Sequence, residues 1–211
     1  MDNNFIFRIM LLILFVGFVA HRGYYHRKFP ASNENTIKQR EEKLVPLLAN
    51  LLSLPALMAV GIYILYPPWI AWAALPFPAE LRWVGVGIAL SGFVLLQWAH
   101  QALSKNWSDV PRLMKDQTLI TSGPYRWIRH PIYTAFLLIM SATLFISANW
   151  FIGIAWVGLT MLEVMSRIRF EEAMMIESFG DQYRAYMKWT GRLLPRLIRS
   201  NTELQPPLGT A

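Results

Sequence analysis

The chain has 211 residues, 55% of them hydrophobic and only 16% charged, with nine tryptophans, no cysteine and a formal net charge of +7. A soluble domain carries about 25% charged residues, so much of this surface is suited to lipid, and the lack of cysteine excludes disulfides, thiolate nucleophiles and cysteine-ligated metal centres. In so apolar a chain the positive charge reads as basic loops facing anionic headgroups, not as a nucleic-acid surface.

Five apolar segments follow one another. The first, Phe5 to Ala20, carries one charge, Arg8. Its tip lacks a basic cluster, and Phe18-Val19-Ala20 puts a bulky residue where a signal-peptide cleavage site needs a small one, so it reads as a short spanning helix. The second runs from Leu44 to Tyr66 and contains Pro46 and Pro55, which membrane helices tolerate when neighbours satisfy the freed carbonyls. The third runs from about Leu81 to Leu103, with Gly85, Ala89 and Gly92 along one side, a pattern for close helix packing. The fourth and fifth, Ile132 to Ala148 and Trp150 to Ser166, are separated only by Asn149 and read as a tight helical hairpin. Each segment is near the roughly 20 residues that a bilayer core requires, the last two being somewhat short.

The basic residues set the expected topology. Arg22, Arg27, Lys28, Lys38, Arg40 and Lys43 follow the first segment. Lys105, Arg112, Lys115, Arg126 and Arg129 follow the third. Arg167, Arg169, Arg184, Lys188, Arg192, Arg196 and Arg199 follow the fifth, leaving only Arg8 and Arg82 elsewhere. The connections Pro67 to Glu80 and Ser147 to Trp150 hold none. The positive-inside rule then predicts an all-α integral membrane protein with five transmembrane helices, its N-terminus outside, its C-terminus cytoplasmic, and no Rossmann domain.

Beyond the fifth segment, Glu171 to Phe179 is amphipathic. Gly180 can end that helix in the left-handed conformation, and Asp181 can cap the next. Gln182 to Trp189 reads as a short cytoplasmic helix and Thr190-Gly191-Arg192 as a turn. The expected organisation is N-terminal helices with a basic loop over residues 1–66, a core over 67–198, and a flexible tail over 199–211.

Two stretches are richer in polar residues than connectors require. In Gln117 to Tyr133, Ser122-Gly123-Pro124-Tyr125 is turn chemistry, and Arg129-His130-Pro131 stands where the fourth helix begins. Proline suits that first helical position, and the free N–H groups beside an arginine and a histidine suit an anion. Equally, Arg129 could be a headgroup anchor and His130 a helix-end polar residue. In the second stretch Glu163, Arg167 and Glu171 are spaced i, i+4, i+8 on one helix face. Glu163, the one ionisable residue well inside the last two spans, is expected to pair with Arg167. Glu171-Glu172 forms a paired carboxylate where the helix dipole disfavours one.

Gly123-Pro124-Tyr125, Arg129-His130-Pro131-Ile132-Tyr133, Arg167 with Glu171-Glu172, Phe179-Gly180-Asp181-Gln182-Tyr183 and Thr190-Gly191-Arg192-Leu193-Leu194-Pro195 together resemble the isoprenylcysteine carboxyl methyltransferases. They are also similar to the wider set of membrane methyltransferases that includes the phospholipid N-methyltransferases. Asn106-Trp107-Ser108 fits the same pattern, and the resemblance covers roughly residues 100 to 195. It implies S-adenosyl-L-methionine as cofactor, held by Gln117, Thr118, Leu119, Ile120, Tyr125, His130, Pro131, Ile132, Tyr133 and Glu171. It implies Arg167 and Glu171 as catalytic residues, with Arg167 on the substrate side; Glu163 beside Arg167 is added by its spacing. Gln117 stands where some members have histidine. The expected partner is a lipid or prenylated substrate entering from the bilayer, with no nucleic acid and no metal. Phospholipid N-methylation is the alternative activity; a nicotinamide-dependent membrane reductase and a non-catalytic subunit or small transporter are the other classes considered.

Overall fold

The computed structural model describes residues 3–29, 36–39, 44–104, 112–114 and 118–196. Five α-helices dominate it: α1 Asn3–Lys28, α2 Leu44–Leu65, α3 Ala79–Leu103, α4 Pro131–Ser147 and α5 Trp150–Trp189. Among the described residues, α1, α3 and α5 are each long and apolar enough to cross a membrane, and α2 with the bent segment after it makes a fourth such unit. The helix α4 is shorter but apolar. The protein is thus an integral membrane protein of largely helical build.

The all-α expectation needs one amendment. Two short strands, β1 Thr36–Gln39 and β2 Arg112–Met114, pair antiparallel, with Thr36 opposite Met114 and Gln39 opposite Arg112. Strands of four and three residues carry too little alternation to stand out in a sequence. Their pairing joins the loop after α1 to the loop after α3.

The first helix extends eight residues past the predicted apolar segment. Its polar end is held by packing: Tyr25 is buried against His100, with ring centroids 4.1 Å apart, and donates its hydroxyl hydrogen to Gln97 Oε1 at 3.3 Å. His26, Arg27 and Lys28 then occupy the last turn, where the helix dipole favours cations. The second helix ends at Leu65 because Pro67 and Pro68 cannot continue it. The chain turns by 119° into a 3-10 segment, Pro67–Ala73, whose Trp69 and Trp72 lie exposed as interfacial aromatics do.

Gly85 and Gly92 let α3 approach α4 closely. A Cβ at Gly85 would lie 2.5 Å from Phe145 Cβ, and one at Gly92 would lie 2.7 Å from Ile139 Cγ1. At the turn of the hairpin, Ala148 takes the left-handed conformation (φ 47°). Asn149 caps α5 by accepting from the Ile152 N–H at 3.1 Å, and its own amide donates to the Ile70 carbonyl at 3.1 Å. The apolar core runs between the helices through Leu11, Leu96, Ala135, Ile139, Ile146 and Ile152.

The fifth helix does not stop at Ser166. It continues through the amphipathic stretch to Phe179, burying Val164, Ile168 and Met174, and breaks only at Gly180 (φ 53°, ψ −126°) before resuming to Trp189. The break thus falls at the residue the sequence picks out, and the helix before it is one piece.

Candidate active site

The site is built where the loop before α4, the middle of α5 and the segment after α5 converge. Gly123 (φ 58°) opens a single 3-10 turn, Gly123–Arg126, in which Pro124 and Tyr125 are buried. The Tyr186 hydroxyl donates to the Tyr125 carbonyl at 2.6 Å and so ties this turn to the last part of α5. Residues 127–130 then run beside the segment after Trp189. Arg129 N–H donates to the Gly191 carbonyl (2.9 Å), His130 N–H to that of Arg192 (3.1 Å), and Gly191 N–H to that of Trp127 (3.1 Å). Thr134 Oγ1 adds a donation to the Leu193 carbonyl at 2.6 Å. Thr190-Gly191-Arg192 is therefore more than a turn: it is a strap held edge to edge against the start of α4.

This pairing leaves His130 non-helical (φ −124°, ψ 61°) as the residue that precedes α4, with Pro131 at the first helical position. The imidazole is buried between two carboxylates. Nδ1 is 3.4 Å from Glu171 Oε2, and Nε2 is 3.4 Å from Glu172 Oε1. Burial alone would lower its pKa, but the two carboxylates beside it outweigh burial and raise it above the ordinary histidine value. Nε2 makes no well-angled hydrogen bond, so its contact with Glu172 is one of charge more than of geometry.

Tyr133, one turn into α4, stacks on His130 with centroids 5.7 Å apart and planes 24° apart. Its hydroxyl donates to Glu171 Oε1 and also neighbours the Arg167 guanidinium. Four residues predicted for the site, His130, Tyr133, Arg167 and Glu171, thus form one continuous cluster. Tyr125 is buried within electrostatic reach of Glu171. Ile132 is half-buried against the apolar core. Thr118, exposed, with the half-buried Leu119 and Ile120, leads into the 3-10 turn. Gln117 and Asn106-Trp107-Ser108 lie outside the described residues.

Glu163 does not join the cluster. The Arg167 guanidinium neighbours the Tyr133 hydroxyl of α4. Eight helical residues, about 12 Å of rise, also separate Glu163 from Glu171.

Sequence reasoning missed the roles of Glu172 and Arg192. The two adjacent glutamates look like a pair, but neighbours on a helix point about 100° apart. Glu172, with a side chain 5% exposed, faces Arg129 Nε at 3.0 Å and Arg192 Nε at 3.2 Å. These contacts, with the His130 interaction, outweigh the effect of burial and hold its carboxyl well below the usual carboxylate range. Arg129 in turn donates to the carbonyls of Met187 and Thr190. The cation–carboxylate spacing of 20 residues between Glu172 and Arg192 gave no local signal.

The donor set suits a ligand with both cationic and anionic ends. Glu171 keeps its side chain 24% exposed and can attract a sulfonium or ammonium. The His130–Tyr133 stack offers ring faces, and Arg167 is a planar fork for a carboxylate. No group of three or more histidine or acidic side chains is placed to hold a metal ion among the described residues.

Fold and site together define a multi-pass helical membrane protein with an acidic–basic centre at one end of a helical hairpin. Residues 84–177 match the model of the isoprenylcysteine carboxyl methyltransferase (ICMT) family. Protein-S-isoprenylcysteine O-methyltransferases are similar to it: that of Dictyostelium discoideum is 30% identical over 131 residues, covering 58% of this chain and 54% of its own. That of Tribolium castaneum is 29% identical over 121 residues, covering 55% and 43%. A methanethiol S-methyltransferase of Pseudomonas deceptionensis is 32% identical over 123 residues, covering 57% and 45%. The chain spans about half the length of these relatives. Its fold resembles that of a eukaryotic intramembrane Ras methyltransferase, ICMT, with a TM-score of 0.57 and 23% identity over 74% of this chain and 54% of the other.

Proposed function

We propose that this protein is an S-adenosyl-L-methionine-dependent membrane methyltransferase acting on a lipidic acceptor, of the isoprenylcysteine carboxyl type. The observation that carries the reading is the meeting of Glu171 with Tyr133, His130 and Arg167 at the charged end of the α4–α5 hairpin. Methyltransferase relatives, among them enzymes named for isoprenylcysteine, support the same reading. The site belongs to a core over residues 67–198, with residues 1–66 as membrane helices beside it and 199–211 as a tail. In this reading there are five spans and the site is cytoplasmic; the pairing of β1 with β2 supports a common side for the two basic loops that carry them.

Bound there, S-adenosyl-L-methionine supplies a methyl group activated on a sulfonium. His130, Tyr133 and Glu171 line the cofactor side, with Tyr125 and residues 118–120 leading into it. The half-buried Glu171 carboxylate attracts positive charge, and the Tyr133 hydroxyl fixes the carboxylate's direction. Arg167 holds the acceptor carboxylate, which is ionised at neutral pH and needs no base; the task left to the protein is alignment.

An amine acceptor would need a proton acceptor. Glu171 is already engaged by Tyr133 and His130, which favours a carboxylate over a phospholipid amine. The deciding experiment incubates membranes containing the protein with methyl-labelled cofactor and then applies mild base. A methyl ester releases volatile labelled methanol; an N-methyl amine or a thioether retains its label.

A further inference from the structure

Glu171 and Glu172 are consecutive, yet only Glu171 reaches Tyr133. The Glu172 carboxylate is buried and receives cations from separate parts of the chain: Arg129 and His130 from the loop before α4, and Arg192 from the strap after α5. Arg129 also grips the carbonyls of Met187 and Thr190, the end of α5 from which the strap departs. The strap is otherwise held by the backbone pairs of Arg129 with Gly191, His130 with Arg192 and Gly191 with Trp127, and by Thr134 with Leu193. The two arginine arms differ in exposure: the side chain of Arg129 is 8% exposed and that of Arg192 is 48% exposed. The Arg192 arm is therefore the one that water can reach and open.

We propose that Glu172 is the positioning carboxylate of this site: through Arg192 and Arg129 it latches the 190–193 strap against residues 127–130, and so fixes the direction in which His130 presents Nδ1 to Glu171. Its role in methyl transfer rests on the function proposed above; the latch itself does not. Glu172 touches no reacting atom. It acts on the shape of the cofactor side of the site, so its loss falls on binding more than on the transfer step.

The test uses the full-length chain in detergent micelles. In Glu172→Gln, amide hydrogen exchange at Gly191 and Arg192 accelerates by about ten-fold or more without any ligand, as local opening requires. The KM for S-adenosyl-L-methionine rises by about ten-fold while kcat falls by no more than about three-fold, the signature of lost ground-state binding. Arg192→Leu, on the exposed arm, reproduces both effects even if Glu172→Gln fails to fold, and Arg192→Lys restores most of the protection. Glu171→Gln gives the opposite pattern, with an intact strap and lost turnover. Unchanged exchange in a folded Arg192→Leu chain overturns the latch. A wild-type chain that neither binds the cofactor nor transfers methyl overturns the proposed function, while the exchange measurement still decides the latch.

Discussion

The guanidinium of Arg82 closes the end of α4 by donating twice to the carbonyl oxygen of Ile146, at 3.1 Å from Nε and 2.8 Å from Nη2. The same side chain donates to Asn4 Oδ1 and to the Tyr63 hydroxyl, both at 2.8 Å, and lies 4.0 Å from the centre of the Phe7 ring. One arginine thus joins α1, α2, α3 and α4 at the end of the molecule opposite the site, and its charge complements the negative end of the α4 dipole.

Arg82→Met leaves several buried polar partners unsatisfied and is expected to cost about 2–4 kcal/mol of stability. Arg82→Lys keeps the charge but cannot fork to three helices, and should fall between the two. Denaturant unfolding of the purified protein in micelles measures both. Equal stability of Arg82→Met and the parent would remove the node from any account of the fold.

For the chemistry, Glu171→Ala and Arg167→Ala are each expected to reduce methyl transfer by about 100-fold or more, as removal of a charge-placing group does. Tyr133→Phe keeps the ring stack and loses only the hydroxyl, with an expected drop of about ten-fold. Membrane insertion and yield should match the parent in all three. Labelled-methyl transfer in isolated membranes gives the comparison, and full activity in Glu171→Ala or Arg167→Ala would defeat the site assignment.

His130 gives the pH prediction. Its pKa is raised in the folded protein because the Glu171 and Glu172 carboxylates, each 3.4 Å from a ring nitrogen, outweigh burial. A raised folded value means that the imidazolium contributes stability in full below the unfolded value of about 6.5 and loses it as pH rises through the folded value. The melting temperature of the parent should therefore exceed that of His130→Gln most in mildly acidic buffer, and the gap should narrow as pH rises. A gap that stays constant from acid to alkaline pH would mean that the ring has the same pKa in the folded and unfolded chain.

Gly180 sits at φ 53° and ψ −126°, with nothing within 4 Å of where a Cβ would stand. Space is not the constraint there; backbone conformation is. Gly180→Ala should cost about 1–3 kcal/mol through strain alone. It should loosen the last part of α5, where Tyr183 and Tyr186 are buried. Faster exchange of the amides after Asp181, with the hairpin unaffected, would report it.

Periodicity and punctuation carried much of this fold into view. Asn149 alone between two apolar runs is enough for the hairpin, Gly180 for the break in α5, and Pro131 for the start of α4. Gly85 and Gly92 mark the face that α4 covers. What stayed hidden depends on contacts between distant parts of the chain. The end of α1 is set by Tyr25 against His100 and Gln97 on another helix, so hydropathy ends it too early. Arg167 meets Tyr133 from α4, a contact that spacing along α5 cannot reveal. Glu172 could be recognised as a latch only once residues 129 and 192 were seen to meet around it.

The fourth helix has 17 residues. At 1.5 Å per residue that is about 26 Å, less than the roughly 30 Å of hydrocarbon in a typical bilayer. An upright helix of that length cannot reach both boundaries, so one of its ends must sit below the surface. Were that the His130 end, the lipidic acceptor of the proposed function would not need to climb out of its leaflet to be modified, and the proposed water-borne donor would have only a shallow descent to reach it. On the proposed function, the brevity of one helix would set the depth at which two reactants of opposite solubility meet.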